Sequence, residues 1–145
     1  MRVDRPCYRW FCHGYPNKDR LKFLNVAICD KAGPVTFYRH TDPDRTGWHT
    51  VVPEFAMTWA PGTKIETTVE GVTIESLKLP KVDFLSIDTE GYDADILEHM
   101  PQSFRPTIIM CEVDKNGVRE RVEREMAKRH YRFMWGTYLN SAYAA

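Results

Sequence analysis

The segment "FLSIDTEGYDADIL", residues 84–97, decides how the chain reads. A short apolar run meets Asp88, Thr89 and Glu90, then Gly91, then a helical pattern that puts Ile96, Leu97 and Met100 on one face. A strand that ends in acids either builds a site or only starts a helix. Asp or Thr ahead of a helix is an ordinary N-cap, and Glu suits the first turn of the macrodipole. Gly91 permits a sharp turn or the close approach of a ligand. The apolar run entering Asp88 would hold its carboxylate rigidly.

The flanking sequence supplies the frame. "VDFLSID" (82–88) predicts a strand, "YDADILEHM" (92–100) a helix stopped by Pro101, and "PTIIMCEVD" (106–114) a strand with an almost continuous apolar interior. "GVRERVEREMAKRHY" (117–131) predicts an amphipathic helix burying Val118, Val122, Met126 and Ala127, and "RFMWGTYLNSAYA" (132–144) returns as one or two strands. Alternating strands and helices, with strands lacking polar alternation, predict a parallel sheet covered on both faces. Upstream, "LKFLNVAICD" (21–30) and "PVTFYRH" (34–40) read as strands joined by a turn at Gly33. Residues 41–64 are turn-rich, and connections beyond about 12–15 residues are often functional. "IETTVEGVTIESL" (65–77) reads as an alternating strand and one helical turn. Residues 1–20 are aromatic and basic, with "CYRWFCHGY" as one or two helical turns ending at Gly14.

In open parallel sheets, ligands bind beyond the carboxyl ends of the strands. Asp88 and Glu90 stand at one such end, Glu112 and Asp114 at the next. Neighbouring strands lie about 4.8 Å apart. Carboxylates that close repel, so a cation, a hydrogen-bonding ligand or helix N-termini must offset them.

Composition narrows the classes. The 145 residues suit one domain, and 43% hydrophobic with 28% charged residues is globular. Twenty basic residues balance twenty acidic ones, which gives no electrostatic reason for nucleic acid or an anionic membrane as partner. A basic-aromatic patch (Arg2, Arg5, Arg9 and Lys18 with Tyr8 and Trp10) is too short to change that. No apolar run approaches the roughly 18 residues of a membrane span. The first residues lack the apolar core of a signal peptide, so a cytoplasmic location is the default expectation. Cys7 and Cys12 have no second ligand pair, so no metal site is assigned. Cys29 and Cys111 lie in strand-like runs and read as buried, reduced thiols. His13, His40, His99 and His130 read as surface residues, whereas His49, with Trp48 and Trp59, lies on the long loop as a lid or as core packing.

"VDFLSIDTEGYDADIL" resembles the hallmark segment of FkbM-type methyltransferases, which use S-adenosylmethionine (SAM). Asp83, Ile87, Asp88, Glu90, Gly91, Ile96 and Leu97 fit its pattern, Ser86 replaces the usual lysine, and Asp93 stands near the usual glutamate. "FLNVAICDKAGPVTFY" (23–38) resembles a second family segment through Asn25, Ala27, Asp30, Gly33, Val35 and Tyr38. "RPTIIMCEVD" and "LNSAYA" resemble its next and closing strands.

The resemblance implies an α/β fold, a Rossmann-like class I methyltransferase sheet with helices on both faces. That fold opens with a glycine-rich loop for the methionine moiety of SAM, which this sequence lacks. The chain therefore reads as N-terminally incomplete, the C-terminal two-thirds of such a domain, with Asp4 as a poor stand-in for the ribose-binding acid. A partner chain or an oligomer would complete the sheet.

By resemblance, Ala27, Ile28, Asp30 and Asp88 hold SAM; Asp88 and Glu90 are catalytic; His49, Glu90 and Glu112 line the acceptor pocket. The implied reaction is O-methylation of a small molecule, sugar or lipid. Two other readings stand beside it. One is a magnesium-assisted O-methyltransferase using Asp88, Asp114 and Asn116. The other is a non-catalytic, methyltransferase-like binding or scaffold module.

Overall fold

The computed structural model describes residues 22, 24–42, 44, 48–114 and 117–145. The readings made above for residues 1–21 and for Asn116 lie outside these. Eleven stretches of regular structure appear in the described chain. Strands β1 (Ala27–Ile28), β2 (Gly33–His40) and β3 (Lys64–Val72) form one sheet in the order β1-β3-β2. Helix α1 (Pro53–Ala56) lies between β2 and β3, and a single 3-10 turn covers Glu75–Leu77. Strand β4 (Phe84–Ile87), helix α2 (Asp93–His99), strand β5 (Ile108–Glu112), helix α3 (Val118–Lys128) and strands β6 (Arg132–Gly136) and β7 (Asn140–Ala144) follow. Their strands form a second sheet in the order β4-β5-β7-β6.

The architecture is mixed α/β, and it corrects the expectation of a parallel sheet. Among the described residues only β1–β3 and β4–β5 are parallel; β2–β3, β5–β7 and β6–β7 are antiparallel. The connection 137–139 is too short for a crossover, which needs a dozen or more residues, so β6 and β7 must form a hairpin. Thr137 closes it by donating its backbone N–H to the Asn140 carbonyl at 2.7 Å.

Coverage on both faces is also corrected among the described residues. Along β4 burial alternates: Leu85 and Ile87 turn inward while Phe84 is 53% exposed and Ser86 is exposed. On the inward face Ile87, Ile109, Cys111 and Tyr143 form one core with both longer helices. Helix α2 contributes Ala94, Ile96, Leu97 and Met100, and α3 contributes Val118, Val122 and Met126. Ile28 of β1 packs against this core and Ile74, two residues beyond β3, belongs to it, which anchors the two sheets to each other. Edge strand β6 carries exposed Phe133, Met134 and Trp135, with a bulge between Phe133 and Trp135.

Two side-chain assignments change. Ala127 is exposed, and Glu125 takes the buried position expected of it. Glu125 tolerates burial because Arg129, 2% exposed, donates Nε–H to its Oε1 at 2.9 Å. The same guanidinium donates to the Leu97 and Met100 carbonyls, closing the end of α2. His40 is buried rather than superficial, edge-on to Trp59 at 5.2 Å between ring centroids, and its Nδ1 accepts the Asp42 N–H at 3.0 Å. Cys29 and Cys111 are buried free thiols, as the sequence suggests, and burial raises the pKa of both.

Gly71 shows why the first sheet needs a glycine at its closest point. A Cβ there would meet the Gly33 carbonyl oxygen at 2.9 Å and the Cys29 Sγ at 3.5 Å. No helix among the described residues is long and apolar enough to cross a membrane.

Candidate functional site

Strands β4 and β5 are hydrogen-bonded neighbours, with Ile87 paired to Cys111. Because they are parallel, both carboxyl ends reach the same edge of the sheet. Asp88, Glu90 and Glu112 meet there, each offering a carboxylate oxygen within 4.8 Å of the others. Asp88 is exposed, and Glu90 and Glu112 are half-buried. Asp114, the fourth acid expected at this edge, is not in the group. It lines a cavity to one side instead.

The turn that presents these acids is not the helix cap that the sequence allowed. Helix α2 begins only at Asp93; its N-cap is Tyr92, with no side-chain capping bond. Between strand and helix the chain makes two left-handed steps, Glu90 at φ 53° and Gly91 at φ 100°. Gly91 adopts this freely, but Glu90 does so at a cost of about 1–2 kcal/mol. Thr50, 1% exposed, holds the strained residue from outside: its Oγ1 donates to the Glu90 carbonyl at 2.9 Å and accepts the Val52 N–H at 3.0 Å. Thr50 is itself fixed by paired backbone bonds to Tyr38. A strained, externally clamped acid is a mark of a functional position.

Asp93 supports the group from beneath. It is fully buried; its Oδ2 accepts the Thr89 hydroxyl at 2.8 Å and the Thr89 N–H at 3.3 Å, and its Oδ1 accepts the Glu112 N–H at 3.3 Å. Burial raises its pKa most, and the nearby Asp88 charge adds to the rise. Asp93 occupies the i position of the stripe Asp93, Ile96, Leu97, Met100, so helical periodicity already places it inward.

Two cavities flank Tyr92, which lines both together with Val51. The smaller, about 300 Å3, lies against Cys29, Asp30, Ala32 and Val35. Across it the Tyr92 hydroxyl donates to Asp30 Oδ1 at 3.3 Å. Burial, with the Asp30 carboxylate beside it, pushes the Tyr92 phenol up to about 12. The larger cavity, about 710 Å3, runs from Val52 and Phe55 past Gly91 to Asp95, Asp114 and Arg121.

The other residues singled out from the sequence are distributed as follows. Asp30 lines the smaller cavity; Ala27 and Ile28 lie in β1 against β3 and line neither cavity flanking Tyr92. His49 is half-buried, edge-on to Phe37 at 5.9 Å, and lines neither of those two. Trp59 is core, 7% exposed against His40 and Phe55, whereas Trp48 is 41% exposed. Sequence reasoning missed Thr50, whose partner lies forty residues away, and Tyr92 as the wall between two cavities.

Chemically, three carboxylate oxygens at this spacing suit a cation, organic or metallic. The family model for the Methyltransferase FkbM domain matches residues 6–136. No curated protein and no solved structure matches the chain.

Proposed function

Since the chain belongs to the Methyltransferase FkbM domain family, we propose that it is a SAM-dependent O-methyltransferase with its transfer point at Asp88 and Glu90. The observation that carries this reading is the convergence of Asp88, Glu90 and Glu112 at the carboxyl ends of two paired parallel strands. Their mutual repulsion calls for a cation, and SAM is one, bearing a sulfonium and an ammonium group.

The residues present fit such a cofactor on two counts. The carboxylate group complements its positive centres. The smaller cavity is at the lower end of the usual size of ligand sites, about 300 Å3, and offers a planar group apolar walls with Asp30 as acceptor. When bound, SAM supplies an electrophilic methyl group. The chain's own part is alignment, which can contribute about 7–11 kcal/mol to such a displacement. Asp30 and Tyr92 hold the adenosine portion, Glu112 orients the acceptor hydroxyl, and Asp88 or Glu90 takes its proton. The acceptor is a small molecule, sugar or lipid.

Calorimetric titration of the chain with SAM and with S-adenosylhomocysteine tests this. SAM should bind more tightly, because the product lacks the sulfonium charge, and Asp88→Ala should weaken SAM by at least about tenfold. A folded chain that takes up neither ligand would favour a binding module of methyltransferase ancestry. A second reading rests on the same oxygen cluster. Magnesium held by Asp88, Glu90 and Glu112 would assist deprotonation, and then methyl transfer, not SAM binding, should vanish with a chelator.

A further inference from the structure

The exposed apolar side chains are not evenly spread. Phe133, Met134, Trp135, Tyr138 and Leu139, between 47 and 80% exposed, are five of the eleven large exposed hydrophobics among the described residues, and all fall within one hairpin. Phe133, Met134 and Trp135 lie on β6, every residue of which is exposed; the other two lie on the turn to β7. In the order β4-β5-β7-β6, strand β6 has β7 on one side and no strand on the other among the described residues. One row of its backbone N–H and C=O groups is therefore open.

The bulge does not blunt this edge. Phe133 pairs with Tyr143, and Trp135 with Ala142. Consecutive residues of β7 face opposite sides of the sheet, so the bulge at Met134 sends Phe133 and Trp135 to opposite sides as well. A strand added here would meet an aromatic ring on each face. The hairpin is also held in place. Arg119 on α3 donates to Ser141 Oγ at 3.1 Å and to the Thr137 and Tyr138 carbonyls at 3.3 and 2.9 Å. A preset surface loses little conformational freedom on binding.

Charge and area select the partner. Arg132 is the sole charged residue between 132 and 145. In a two-fold pairing each patch meets itself, which like charges would oppose and this patch permits. Neither Lys nor Pro, the usual protection of a sheet edge, occurs in β6. A buried aromatic side chain covers about 150–250 Å2, so these five partly exposed side chains offer roughly 500–600 Å2 per copy. A standard interface takes about 800 Å2 per partner, and the open backbone edge beside the rings supplies much of the remainder. A bilayer would cover the same rings but would leave the open backbone groups without partners, which hydrocarbon penalises.

We propose that β6 pairs antiparallel with β6 of a second copy of this chain, joining two four-stranded sheets into one continuous sheet. The pairing does not depend on the methyltransferase reading.

Sedimentation equilibrium of the full chain should show a monomer–dimer equilibrium with a Kd of about 10 μM or lower. Trp135→Lys and, separately, Met134→Lys bring like charges together across the two-fold axis and should each weaken the dimer at least about tenfold, with the urea midpoint unchanged as the check on folding. In the unaltered chain, amide hydrogen exchange at residues 132–139 should slow as concentration rises, a readout that needs no variant. A monomer at about 100 μM, a dimer unaffected by either folded variant, or concentration-dependent protection confined to other segments would each overturn the proposal. So would binding of a monomeric chain to phosphatidylcholine vesicles that Trp135→Lys abolishes, which would assign the hairpin to a membrane surface.

Discussion

Asp93 Oδ1 accepts the backbone N–H of Glu112 at 3.3 Å, so a carboxylate on α2 fixes the tip of β5. Its other oxygen holds Thr89 just past the end of β4. The distance between the strand tips, and with it the spacing of the acids above them, depends on one buried side chain. Asp93→Ala leaves two backbone N–H groups without their acceptor and should cost about 2–4 kcal/mol in urea denaturation. Asp93→Asn keeps one acceptor and should cost less than half of that.

The pH dependence of the same residue has a definite sign. Burial raises the Asp93 pKa in the folded protein above its unfolded value of about 3.9. The folded state therefore holds the proton more strongly, and stability from this group increases as pH falls through the interval between the two values. Relative to Asp93→Asn, the unaltered chain should gain stability as pH falls toward the unfolded value of about 3.9. A constant difference would mean that Asp93 titrates alike in both states.

Arg121 should show the opposite slope. Its hydrogen bond holds Glu98 below the usual carboxylate range, so that contribution is present above the unfolded value of about 4.3 and is lost as pH falls through the folded one. The pair is partly exposed, so Arg121→Met should cost only about 0.5–1 kcal/mol at neutral pH. The difference from the unaltered chain should shrink on acidification, measured by thermal unfolding across that range.

Glu90→Gly separates stability from function. Glycine accepts φ 53° without strain, so stability should be unchanged or rise by about 1 kcal/mol, while SAM affinity falls with the lost carboxylate. Clear destabilisation in chemical denaturation would show that the Glu90 side chain supports the fold.

The buried Glu125–Arg129 pair makes a fourth case. Removing one partner, as in Arg129→Met, leaves the buried Glu125 carboxylate with only the exposed Lys128 ammonium, 3.1 Å from Oε2, and should cost up to about 3–5 kcal/mol. Replacing both with Leu and Met should recover most of that loss in a double-mutant cycle, though the α2 carbonyls that Arg129 now serves would keep part of it.

Much of this was visible in the order of residues. The β4, α2, β5 and α3 segments follow their apolar periodicity closely, because each has one buried face and a sequence that repeats at its own period. The convergence of Asp88, Glu90 and Glu112 followed from two neighbouring parallel strands. What escaped the sequence depends on distant pairing. Thr50 gives no local sign that its hydroxyl meets Glu90, and Tyr92 none that it meets Asp30. Glu125 and Arg129 share a stripe with Val118, Val122 and Met126, but a charged residue on an apolar stripe is legible only when its partner is also counted. The antiparallel return of β7 was hidden because strand direction depends on the connection and not on the strand's composition.

The bonds that join the two sheets at the site span forty residues from Thr50 to Glu90 and sixty-two from Asp30 to Tyr92. Loops of that length close slowly, and their closure is rewarded only once the segments they join are in place. The acids would then acquire their final arrangement late in folding, when the two sheets dock. A substitution far from any ligand that delays or loosens that docking would leave most of the secondary structure standing and still disarm the site.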